Sequence, residues 1–126
     1  MKKNVLWVAA LVVVLASGVV VFGNHSKNGS QTTDAAVADL FGQKYNRSAD
    51  SVNVAVSTDT GKFAKGSVSF EGENGGGLWF AAKTSGGWEL AYDGNGIVPC
   101  DAANQYGFPA DMIPSCLDSQ NQLVER

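Results

Sequence analysis

Residues 51–96 read SVNVAVSTDTGKFAKGSVSFEGENGGGLWFAAKTSGGWELAYDGNG, and the period of this stretch decides the fold. Val52, Val54 and Val56 alternate with Asn53, Ala55 and Ser57, the two-residue period of a half-buried strand. Asp59-Thr60-Gly61-Lys62 is a turn. A second strand carries Ala64, Gly66, Val68 and Phe70 on one face, and residues 71–77 form a Gly-rich hairpin loop. A third strand places Leu78, Phe80 and Ala82 on one face. Ser85-Gly86-Gly87 turns the chain into a fourth strand, where Trp88, Leu90 and Tyr92 alternate until Asp93-Gly94-Asn95-Gly96. Strands joined by consecutive hairpins predict an antiparallel meander of four.

One apolar sheet face needs a cover. Val37, Leu40, Phe41 and Tyr45 recur at helical spacing over residues 33–46. Thr33 serves as N-cap, Asp34 suits the positive end of the helix, and Lys44 and Arg47 suit the negative end. The predicted class is α+β, with one helix packed on the meander.

Residues 97–118 hold three prolines and both cysteines, with helical turns predicted after Asp101 and after Pro109. Cys100 and Cys116 stand sixteen positions apart. In an exported chain an even cysteine count predicts a disulfide. The bridge restricts the unfolded chain by about 3 kcal/mol on the entropy account. A metal site is not expected, because His25 is the only histidine and lies in a polar linker.

The export argument comes from residues 4–22, NVLWVAALVVVLASGVVVF, an uncharged apolar run directly after Met1-Lys2-Lys3. A run of about 20 apolar residues matches the bilayer hydrocarbon. The preceding lysines place its N-terminal side in the cytoplasm. Residues 1–23 therefore read as a single-pass anchor at the cell membrane. The alternative is a cleaved signal peptide, cut near Ala16-Ser17-Gly18 or after Gly23, which leaves a secreted protein. Residues 24–33 are polar linker, 34–118 an extracytoplasmic domain, and 119–126 a tail. From Asn24 onward seven Lys/Arg stand against twelve Asp/Glu, a net charge of −5. That balance excludes nucleic acid as an expected partner.

The segments FAKGSVSF, GGGLWFAAK and WELAYDGNG, followed by two cysteines around GFPADMIP, resemble a family of small bacterial envelope proteins without an assigned activity. The resemblance covers residues 34–118 and implies an N-terminal anchor followed by a helix-plus-sheet domain. The order of elements is also similar to the cystatin-like architecture, an analogy of fold alone.

Four features could carry chemistry. Asp59-Thr60-Gly61 matches the D-T-G of aspartic proteases, yet a single copy needs a second carboxylate, and Lys62 suits an exposed turn. Asp93-Gly94-Asn95-Gly96 begins like a calcium loop but lacks the later ligands. Gly75-Gly76-Gly77 precedes a strand rather than the helix a phosphate cradle requires. Trp79 is the fourth. If Leu78 and Phe80 face the helix, Trp79 faces away, among Ser67, Ser69, Ala81, Ala91, Lys65, Lys83 and Glu89. Trp79, Lys65, Lys83 and Glu89 then form the expected binding platform, open or covered by Phe108, Met112 and Ile113.

No serine–histidine pair and no cofactor motif is present, so no cofactor is expected. The reading is a membrane-anchored extracytoplasmic binding module with a protein or peptide partner. The alternative is a small hydrolase using surface carboxylates, Asp59 foremost.

Overall fold

The computed structural model describes residues 31–126. The expected anchor at residues 4–22 lies outside them. Among the described residues no helix is long and apolar enough to cross a membrane.

The described residues open with helix α1 (Thr33–Tyr45) and a 3-10 turn (Ala49–Ser51). Strands β1 (Val52–Asp59), β2 (Phe63–Phe70), β3 (Gly77–Thr84) and β4 (Gly87–Gly94) follow. They form one antiparallel sheet in sequence order. Helix α2 (Cys100–Tyr106) then leads to a hairpin of β5 (Ser115–Leu117) and β6 (Leu123–Glu125). The class is α+β, as the period-two pattern predicts. The N-cap of α1 is Thr32 rather than Thr33, and Asn46, in the left-handed region, ends the helix.

Helix α1 lies on one face of the sheet. Its Val37 and Phe41 are buried against Val52, Ala64, Val68, Trp79 and Ala81, with Val54, Phe70, Trp88 and Leu90 at the margin. The helix approaches the edge strands β1 and β4 more closely than the central strands. The sheet therefore curls around it, and Trp79 fills the middle. Bulges in β1 beyond Val56 and in β4 at Ala91 help the sheet bend.

This arrangement reverses the predicted faces of β3. Trp79 is 0% exposed beneath the helix, whereas Leu78 is 51% exposed on the opposite face. The cause is register. Gly66 pairs with Trp79, and Ser67 with Leu78. A one-residue slip would exchange every side chain between the faces. Gly66 makes this register possible, because a Cβ there would lie 2.9 Å from Trp79 Cζ2 and 1.8 Å from the Ala55 carbonyl oxygen. The buried indole N–H donates to the Ser67 carbonyl at 2.9 Å, so no polar group is stranded. The bulge at Ala91 likewise separates Trp88 and Leu90, on the helix side, from Tyr92 on the other.

The C-terminal segment packs on the opposite face, at one end only. Phe108, Met112, Ile113, Val98 and Ala103 cover Phe63, Ala82, Phe80 and Tyr92. Phe108 sits 4.7 Å from the Phe63 ring and meets Phe80 edge-on at 6.1 Å. The clasp thus covers this set, not Trp79. The Cys100–Cys116 disulfide joins the start of α2 to β5, as predicted. Residues 119–126, expected as a tail, return as β6. The Arg126 guanidinium donates to the carbonyls of Ile113 and Phe108 and to the Asn104 amide oxygen.

Trp79→Ala should cost about 3–5 kcal/mol, as for a buried aromatic. Leu78→Ala should stay within about 0.5 kcal/mol, as for a surface position. Urea denaturation of the full chain distinguishes this pattern from the reverse. Cys116→Ala should destabilise by about 2–4 kcal/mol in the same assay. An unchanged midpoint would show that the clasp is held by packing alone.

Candidate functional site

The clasp leaves half of its sheet face bare. The uncovered half begins with Asn53, Ala55 and Ser57 on β1, all exposed. Ser67 and Ser69 follow on β2 and Leu78 on β3. These positions share a face because paired residues of antiparallel strands point the same way. The result is a shallow cleft of about 500 Å³, walled by Gly75, Gly76, Gly77 and Asn95. A second hollow of about 280 Å³ continues it past Ser57, Lys65 and Phe80. The floor is made of hydroxyls, an amide and small side chains, with Leu78 as its large apolar group. No charged residue lines the larger cleft.

The glycine loop separates this cleft from another on the helix side. That one, about 420 Å³, has Phe41, Tyr45 and Phe70 as its aromatic wall. Its charges are committed to one another. Asp93 accepts from both the Lys44 ammonium and the Tyr45 hydroxyl. Arg47 pairs with Glu73 while its guanidinium lies 5.0 Å over the Phe70 ring. The bond to Asp93 raises the pKa of Lys44 and of Tyr45 above their ordinary values. Gly76 forms the common wall, where a Cβ would lie 2.3 Å from the Val68 carbonyl oxygen. The loop packs against β2 through bare backbone.

The four residues expected to form the platform are not brought together. Trp79 and Lys83 belong to the helix side, Trp79 buried and Lys83 exposed with its ammonium 5.7 Å from the Trp88 ring. Lys65 and Glu89 belong to the clasp side. Lys65 Nζ donates to the Met112 carbonyl at 3.4 Å. Glu89 accepts from Thr84 Oγ1 at 2.7 Å and from Tyr106 at 3.4 Å. Burial, then Glu89, raises the Tyr106 pKa. Alternation alone does not reveal the bare half-face, because it assigns Leu78 to the helix side of β3. The alternating Asn53-Ala55-Ser57 and Ser67-Ser69 sets were its sequence signal.

Asp59 is a turn residue. One carboxylate oxygen accepts from Thr33 Oγ1 at 2.6 Å, the other from the Gly61 N–H at 2.7 Å. The Thr33 hydroxyl, then Gly61, holds its pKa below the usual carboxylate value. Asp93 is turned toward α1, and the Gly96 N–H donates to Tyr92. Among the described residues no three His, Cys, Asp or Glu side chains are grouped to hold a metal ion.

Comparison with protein-family models, with curated proteins and with solved structures gave no match.

Thr33→Ala should raise the Asp59 pKa toward its ordinary value. Because the folded pKa is lowered, this contact stabilises above the unfolded pKa and is lost as pH falls through the folded one. The variant should therefore lose most of that acid-dependent contribution. A carboxyl NMR titration that leaves Asp59 unmoved would remove Thr33 as the cause.

Proposed function

We infer that the domain is a binding module of the bacterial cell envelope, carried outside the cytoplasm by residues 4–22 and engaging a protein or peptide partner. The observation that carries this reading is the bare half-face. It joins an exposed leucine to hydroxyl and amide groups beside a cleft, a composition suited to recognition. The disulfide accords with an oxidising compartment. The hydrolase reading rests on Asp59, whose two oxygens both accept hydrogen bonds that stabilise a turn. That arrangement favours the module.

The full chain, expressed in a bacterial host, should stay with membranes after a carbonate wash. A photo-crosslinker at Leu78 should give a discrete adduct in those membranes, and one at exposed Gln105 should not. Turnover of a hydrolase substrate that Asp59→Ala abolishes, with no adduct at Leu78, would favour the enzyme.

A further inference from the structure

The sheet has two edges, and they differ. On β4 the bulge at Ala91 breaks the ladder, Glu89 and Asp93 place charges along the strand, and α2 packs nearby. These are ordinary protections against unwanted strand pairing. Strand β1 is barer. From residue 52 to residue 58 it carries no charge and no proline, and its bulge falls beyond Val56. Among the described residues no strand pairs with its outer side.

Its hydrogen-bond phase is set at one end. The Glu71 N–H donates to the Ser51 carbonyl at 2.8 Å, so residue 51 bonds inward to β2. Antiparallel alternation then turns 53 and 55 inward as well. The backbone N–H and C=O groups of Val52, Val54 and Val56 point away from the sheet. Val56 is also 38% exposed.

Charge selects the occupant. Across residues 31–126 six Lys/Arg stand against twelve Asp/Glu, a net of −6. Of the cations near this strand, Arg47 is engaged with Glu73 and Lys65 with Met112, and Lys62 stands in the turn at the far end, over the Phe63 ring. Asp50 and Glu71, both exposed, flank the start of β1, and among the described residues neither is in a salt bridge. We propose that the outer edge of β1 receives an extended peptide segment of a partner protein as a fifth strand. That segment has a run of uncharged, β-branched residues and basic residues at the end that meets Asp50 and Glu71. Main-chain bonds to Val52, Val54 and Val56 supply the binding, and alternate side chains of the guest fall beside Asn53 and Ala55 at the margin of the bare half-face. A second copy of this acidic chain is the poorer guest, since an antiparallel β1 would bring Asp59 together with Lys62, and so no net positive charge, to Asp50 and Glu71.

This assignment rests on the binding-module reading and specifies its mode. The probe is a synthetic heptapeptide of two lysines followed by alternating valine and threonine, titrated into the full chain in detergent and followed by amide NMR. The amides of Val52, Val54 and Val56 should shift and gain hydrogen-exchange protection. Val56→Lys should weaken binding by about tenfold or more, through a charge on the edge. Asp50→Asn and Glu71→Gln, which keep the backbone and change only exposed side chains, should each weaken it by up to about fivefold. These two variants keep the test decisive if Val56→Lys melts early. Shifts confined to Ser67, Ser69 and Leu78 would overturn the edge assignment and leave the module standing. Equal binding of a peptide with glutamates in place of the lysines would overturn the basic partner. A concentration-dependent dimer abolished by Val56→Lys would make the occupant a second copy. No binding, together with no adduct at Leu78, would overturn both readings.

Discussion

The structure depends on an indole seated over a glycine. Trp79 lies across from Gly66 in the middle of the sheet, in one buried cluster with Val37 and Phe41 of α1. A void there would forfeit the close contacts that hold helix to sheet. The same indole has one donor, and the Ser67 carbonyl satisfies it. Steric fit and hydrogen bonding therefore select one register between β2 and β3. Every face assignment in the sheet follows from it.

Once Trp79 and Ala81 are committed to the helix, Phe80 and Ala82 fall on the other side, where they need a second cover. The clasp supplies it with Phe108, Met112 and Ile113, and the disulfide holds its two ends together. The clasp is too short to cover the whole face. It stops at Phe80, and the strand ends carrying Ser67, Ser69 and Leu78 remain bare. The candidate site is thus the remainder of a packing solution. Its polarity is consistent with that position, because serine and asparagine side chains on an uncovered sheet keep their water.

The two clefts on either side of the glycine loop illustrate how charge separates stabilising from available groups. On the helix side Lys44, Tyr45 and Asp93 satisfy one another, as do Arg47 and Glu73. On the bare face the amide and hydroxyl groups line a cleft without charge. At the β1 margin Asp50 and Glu71 stand outside the ion pairs among the described residues. Recognition is therefore assigned to the bare face and its edge, and the aromatic cleft to the joint between helix and sheet.

By itself the sequence determined the element order as far as β4, the antiparallel meander, the helix that covers it and the disulfide. These are local matters of period, turn chemistry and cysteine count, legible in Val52-Val54-Val56, in Asp59-Thr60-Gly61 and in the pair Cys100 and Cys116. Only the tertiary structure decided which face of β3 meets the helix. Residues 78–82 are apolar on both faces, so their alternation is silent about direction. The loop that should set the register contains Gly72 and Gly75 at positive φ, and such glycines accept many paths between two strands. The choice was made by long-range contacts: room above Gly66 for an indole, α1 on one side, and Phe108 on the other. For the same reason the expected platform of Trp79, Lys65, Lys83 and Glu89 is divided between two faces, and a surface of small polar residues takes its place.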